Sequence, residues 1–268
     1  MIKPKAIIIR TAGTNCDYET KAAFELAGAE AHRVHVNRLI SGEVKLSDFD
    51  IMAIPGGFSY GDDIASGKIL ANELKYNLGV KLQEFAEDGK PIIGICNGFQ
   101  VLVKMGLLPD SVRFQQNTTL TFNDSDKFEC RWVNLKSSQI SNLKSQMKSK
   151  AKCIWTKNLP EIIQLPVAHG EGKFVACDDK TLKEIEANGQ VALRYCDDKG
   201  KPAGYPYNPN GAENAIAGIC NRKGNVFGLM PHPERYVFKY QHPALKGIGS
   251  DESGWGLAIF KNAVNMLE

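Results

Sequence analysis

Pro91-Ile92-Ile93-Gly94-Ile95-Cys96-Asn97-Gly98-Phe99-Gln100-Val101-Leu102-Val103-Lys104-Met105 reads as a buried strand that turns directly into a helix. Residues 91–95 are apolar on both faces, as in a strand of a sheet covered on both sides. Phe99 to Met105 is a helical run. Between them stands Gly94-Ile95-Cys96-Asn97-Gly98, a cysteine with glycine two places before and two places after. That spacing suits a nucleophile elbow, in which a reactive atom is lifted above the sheet and bulky neighbours would collide with strand or helix. A thiol at a helix N-terminus also meets unpaired N–H groups and the positive end of the helix dipole, which favour thiolate.

Similar alternation extends outward from this stretch. Ala6-Ile7-Ile8-Ile9, Val34-His35-Val36 and Ile51-Met52-Ala53-Ile54 read as further strands. The segment ending at Gly28, and those over Leu70–Leu78 and Val80–Ala86, read as helices. Short buried strands separated by helices predict an α/β fold with a central, mostly parallel sheet flanked by helices. Ligands of such sheets bind beyond the carboxyl ends of the strands. After Thr118 the pattern predicts added antiparallel hairpins: Thr118–Phe122 with Phe128–Leu135, and Ile216–Cys220 with Val226–Met230. Residues 137–152, rich in Ser, Lys and Gln, are expected to be an exposed loop or short surface helix, and residues 256–267 a closing amphipathic helix. No internal repeat is visible, so one domain over residues 1–268 is expected.

Composition narrows the class. A chain of 268 residues with 43% hydrophobic and 24% charged side chains is ordinary for a globular protein. A net charge of +3 is too small a bias to point to nucleic acid. No apolar run is long enough to cross a membrane and none at the start suits a signal peptide, so a soluble, cytoplasmic protein is expected. Seven cysteines with no C-x-x-C argue against a disulfide framework or a structural zinc site.

Pro231-His232-Pro233-Glu234 supplies the expected partners of Cys96. Residues before proline favour extended backbone, and in extended chain positions i and i+2 share a side. Glu234 could then orient the His232 imidazole, completing the arrangement of nucleophile, base and orienting acid. The segment also reads as a proline-stiffened surface turn. Gly57, after the third strand, could offer a backbone N–H to an oxyanion. His169, in Ala168-His169-Gly170-Glu171-Gly172, combines a polar group with backbone freedom. No second His or Cys lies at ligand spacing from it, so no metal is expected. Cys16 is a rival thiol, but Thr14 and Tyr18 stand where an elbow needs small residues. Neither G-x-x-x-x-G-K-[ST] nor a strand-bound G-x-G-x-x-G occurs, so any nucleotide chemistry falls to another polypeptide.

These strings together resemble the class I (triad) glutamine amidotransferases. Gly13-Thr14-Asn15-Cys16-Asp17, Gly56-Gly57-Phe58-Ser59-Tyr60-Gly61-Asp62 and Gly228-Leu229-Met230-Pro231-His232-Pro233-Glu234-Arg235 are most similar to the glutaminase subunits of phosphoribosylformylglycinamidine synthase. The resemblance implies a flavodoxin-like sheet and hydrolysis of L-glutamine by Cys96, His232 and Glu234. It further implies oxyanion donors at Gly57 and Asn97, and substrate contacts at Gln100, His169, Gly170 and Glu171. It implies no cofactor in this chain, with ATP and Mg²⁺ used by a large synthetase partner, a small bridging subunit, and no nucleic-acid or membrane partner. An amidotransferase of another pathway, or a non-catalytic module of the same fold, are the alternatives.

Overall fold

Ile7, Ile8 and Ile9 are completely buried in β1 (Lys5–Arg10), and each such side chain contributes about 1.5–3 kcal/mol of hydrophobic stabilisation. Strands β3 (Ile51–Ile54), β4 (Ile92–Ile95) and β11 (Val226–Leu229) are likewise buried at every position. β2 (Glu30–His35) is partly exposed, as its mixed sequence dictates. The computed structural model describes residues 3–111, 114–138, 153–244 and 252–267.

Nine strands form the main sheet in the order β2-β1-β3-β4-β11-β10-β9-β6-β7, which brings in β6 (Glu129–Ser137), β7 (Ile162–His169), β9 (Val191–Cys196) and β10 (Ile216–Cys220). The first five in that order pair parallel, and the remaining pairings are antiparallel. The chain leaves β1 through α1 (Asp17–Leu26) toward β2, but leaves β3 through α3 (Lys68–Glu87) toward β4, in the opposite direction along the sheet. Right-handed crossovers running in opposite directions place their helices on opposite faces. α1 packs with α6 (Trp255–Val264), and α3 packs with α4 (Asn97–Met105). The reversal lies between β1 and β3, the position where open α/β sheets leave a crevice. Register aligns Ile95 with Leu229 and Gly94 with Ile54, so Cys96, Met230 and Pro55 emerge at one edge of the sheet.

Several sequence expectations need revision. β2 ends at His35, and Val36 begins a short helix, α2 (Val36–Ile40), capped by the His35 ring accepting from Asn37 N–H. The two helices expected between Leu70 and Ala86 are one, continuous through Gly79. Thr118–Phe122 does not form a hairpin with Phe128–Leu135. β5 (Thr118–Thr121) pairs with β8 (Lys173–Ala176) in a separate two-stranded sheet, while β6 pairs with β7 and β9. The Asn123 side chain accounts for the detour. Its amide donates to the Lys127 and His169 carbonyls and its oxygen accepts from Gly172 N–H, tying the apparent turn to the β7–β8 connection. The expected hairpin of β10 and β11 is present, and a further helix, α5 (Asp179–Ala187), follows β8. Residues 139–152, most of the Lys-rich segment, lie outside the described residues. No described helix is long and apolar enough to cross a membrane.

Candidate active site

Cys96 occupies the N-cap of α4 with φ 50° and ψ −105°. A conformation of this kind costs a residue other than glycine on the order of 1–3 kcal/mol and persists only where its surroundings impose it. The constraint is visible on both sides. Cys96 N–H donates to Leu229 O at 2.8 Å, holding the end of β4 to β11. A Cβ on Gly98 would lie 1.9 Å from Ile54 O, so α4 can leave the strand at this angle only with glycine there. The elbow expected from Gly-x-Cys-x-Gly is present, and the thiol donates a long hydrogen bond of 3.7 Å to Ala168 O.

His232 and Glu234 follow β11 on the same edge. Their Nδ1 and Oε1 atoms are 2.6 Å apart, and both side chains are buried. A carboxylate can only accept, so the ring proton lies on Nδ1. The local conformation differs from the extended segment expected, because Pro233–Arg235 form a 3₁₀ turn. That tight turn, anchored by His232 N–H donating to Pro166 O at 2.8 Å, brings the i and i+2 side chains together. Burial opposes a charge on His232. The carboxylate of Glu234, then Cys96, outweigh it, and the imidazole binds a proton well above its usual range. Nε2, the other ring nitrogen, has no hydrogen-bond partner among the described residues.

A cavity of about 290 Å³ opens over these groups, lined in part by Gly57, Cys96, Gln100, His169, Gly170, Glu171 and His232. The volume sits at the small end for sites of small molecules. Glu234 lies outside the lining, held to the His232 ring. A larger cavity of about 480 Å³, around Pro109, Thr181, Gln190 and Arg222, contains neither cysteine nor histidine among its lining residues.

Residues 3–267 match the family model of the CobB/CobQ-like glutamine amidotransferase domain. The chain belongs to this amidotransferase family. It is 46% identical over 265 residues to the phosphoribosylformylglycinamidine synthase subunit PurQ of Dehalococcoides mccartyi, covering 98% of each chain. It is 42% identical over 279 residues to the same-named subunit of Archaeoglobus fulgidus, with 98% and 97% covered. Among solved structures it resembles a chain in the structure of PurLQS from Thermotoga maritima, at TM-score 0.74 and 33% identity over the full length of both.

In this amidotransferase the wall of the cavity is built by side chains that the motifs only partly announce. Asn97 accepts from Ser59 N–H at 3.2 Å through Oδ1, and its Nδ2 donates to Asp62 Oδ1 and Gln100 Oε1, each at 3.0 Å. One side chain therefore ties the Gly57 loop to the first turn of α4. Gln100 passes the connection on by donating to Glu171 O at 2.6 Å, so its amide is engaged in holding the His169-Gly170-Glu171 loop. Beneath them Lys104 is buried, donates to Ser66 O at 2.6 Å and lies 4.0 Å from Glu171 Oε2. Burial pushes the lysine down and Asp62 up from their ordinary ranges. His169 Nδ1 lies 3.2 Å from Asn123 Oδ1. Burial, then repulsion from His232, depress its pKa to about 3, so this imidazole is neutral across the working pH range.

The missing elbow sets Cys16 apart from the chemistry in the sequence. The structure brings it into the same cavity, against His232, with Arg235 Nη2 donating to its sulfur at 3.0 Å. No local spacing could show this, since Cys16 and Arg235 are 219 positions apart.

Proposed function

We propose that this chain is the glutaminase subunit of a phosphoribosylformylglycinamidine synthase. It hydrolyses L-glutamine to glutamate and ammonia, and passes the ammonia to an ATP-dependent synthetase subunit in purine biosynthesis. The observation that carries the reading is the strained Cys96 elbow sharing one buried cavity with a carboxylate-oriented imidazole, in a chain of this family. ATP and Mg²⁺ belong to the partner, a small third subunit completes the assembly, and the cytoplasm is the compartment for this chemistry.

The steps follow from the groups present. His232, whose proton affinity is raised, takes the Cys96 proton, and the sulfur attacks the side-chain amide carbon of glutamine. Glu234 keeps the imidazolium aligned and charge-balanced. Backbone N–H groups of Gly57 and Asn97 stabilise the developing oxyanion. Asn97 opens α4, where helical N–H groups have no partner within the helix. Losing one such donor typically costs about 2.7–4 kcal/mol. His232 returns the proton to the leaving nitrogen, ammonia departs, and a glutamyl thioester remains on Cys96. Water, deprotonated by the same imidazole, cleaves the thioester to glutamate and restores the thiol. Gln100, through its hydrogen bond to Glu171 O, and the backbone of His169, Gly170 and Glu171 hold the substrate.

Cys96→Ala should lower glutamine hydrolysis by about 10³-fold or more, the usual consequence of removing a covalent nucleophile. 6-Diazo-5-oxo-L-norleucine should add one mass label, located on Cys96 by peptide mapping. Undiminished hydrolysis by Cys96→Ala would exclude the mechanism.

A further inference from the structure

Cys16 is completely buried, and every part of it is engaged. Its N–H donates to Gly56 O at 3.2 Å, and its carbonyl accepts from Thr20 N–H at 3.0 Å and from the Thr20 hydroxyl at 2.7 Å. The thiol donates to Asn15 Oδ1 at 3.2 Å, leaving the sulfur lone pairs for Arg235 Nη2. The same sulfur lies within 4.8 Å of a His232 ring nitrogen, and both side chains border Gly56, where a Cβ would meet His232 Cε1 at 2.8 Å and Cys16 Sγ at 3.2 Å.

Glu234 presents an unanswered question beside it. Oε1 holds the His232 ring, but Oε2 is buried with no hydrogen-bond partner among the described residues. The adjoining residue, Arg235, carries a permanent cation, and paired arginine and carboxylate form the strongest hydrogen-bonded ion pairs available to side chains. An Arg235–Glu234 pair would satisfy Oε2 but would draw the carboxylate's charge away from His232. The guanidinium is instead held elsewhere, with Nη2 on the Cys16 sulfur and Nε 3.6 Å from Glu19 Oε1.

We propose that Cys16 is a positioning residue that holds Arg235 away from Glu234, so that the carboxylate stays committed to His232. The proposal rests on the triad reading above. A thiol suits the task because its sulfur accepts a guanidinium N–H while remaining a weak competitor for the proton His232 must carry. Cys16, His232 and Glu234 also offer three metal-binding atoms within 4.8 Å of one another. A guanidinium already on the sulfur sets a fixed positive charge against a cation there, and added Zn²⁺ tests that alternative directly.

The groups facing His232 are Glu234, Cys96, Cys16 and Arg235, with His169 across the cavity. In the complex with the synthetase subunit, Cys16→Ala should lower kcat for glutamine hydrolysis about tenfold while KM stays within about twofold, a loss confined to the chemical step. The limb of the pH–rate profile that reports His232 should move to lower pH, because its carboxylate is now shared. Cys16→Ser keeps an acceptor and should stay within about threefold of the parent. On an Arg235→Met background Cys16→Ala should cost nothing further, and that coupling is what a general packing defect would not produce. Should Cys16→Ala fail to fold, Glu19→Gln releases the same guanidinium from the surface side and should move the His232 limb in the same direction by less. Equal losses from Cys16→Ala with and without Arg235, or an unmoved limb in both Cys16→Ala and Glu19→Gln, overturn the proposal. So does Zn²⁺ inhibition of the parent that Cys16→Ala abolishes, which would assign the trio to a metal. An active Cys96→Ala enzyme would sink the triad reading itself, a result distinguishable from all of these.

Discussion

Two buried histidines in one cavity carry opposite electrostatic assignments, and they act on stability in different pH windows. His169 binds a proton in the unfolded chain near pH 6.5 but in the folded protein only near pH 3. Between those values the unfolded state holds more protons, so stability is fully present above about pH 6.5 and falls as pH drops toward 3. The loss through this one group is at most roughly 1.4 kcal/mol per pH unit. His232 is raised, so its contribution is complete below about pH 6.5 and is lost as pH rises through its folded value. The slope of stability between pH 6 and pH 4 should therefore be shallower in His169→Gln than in the parent, as read from urea midpoints. Identical slopes would mean that His169 is charged in the folded protein. The His232–Glu234 pair was legible in the sequence because its members are two residues apart. Asn123, which holds His169 through both backbone and ring, was invisible there because it sits 46 positions away inside an apparent turn.

At the scale of elements, the strand–elbow–helix unit was readable because its constraints are local: apolar run, flanking glycines, helical run. The β5 pairing was not, since alternation records that a strand has two faces and says nothing of which strand it meets. Two glycines separate what is local from what is tertiary. Gly79 lies inside α3 with ordinary helical backbone, and a Cβ there would meet nothing within 4 Å, so its cost is conformational entropy alone. Gly79→Ala should raise stability by about 0.5–1 kcal/mol. Gly98 also lies in a helix, yet a Cβ there would run into the backbone of β3, which cannot rotate aside as a side chain can. Gly98→Ala should lower stability by about 3 kcal/mol or more, at the upper end for overpacking, or prevent folding. Chemical denaturation of the two variants in parallel measures both. Equal and small effects would show that α4 can shift away from the sheet, and the rigid elbow would then no longer explain the strain at Cys96.

Across the whole molecule, the sheet sets the site between helices on opposite faces, with the cavity over Cys96 at the carboxyl end of β4. The sequence holds no G-x-x-x-x-G-K-[ST] loop, and the function proposed above assigns the ATP-dependent step to the synthetase subunit. In that proposal ammonia is the species that passes between the two subunits. Removing the nucleophile cuts the supply without touching the consumer. The complex carrying Cys96→Ala should therefore lose glutamine-dependent amidine formation by about 10³-fold, as expected for a missing nucleophile. It should keep amidine formation close to the parent rate when an ammonium salt is supplied at a pH where free NH₃ is abundant. Both activities are read from one product assay, with the substituted subunit checked for co-purification with the synthetase. Loss of both together would show that Cys96 also serves assembly or the synthetase step. Retention of both would move the glutaminase to another thiol, with Cys16, which lines the cavity together with Cys96 and Cys130 and lies beside His232, as the next to substitute.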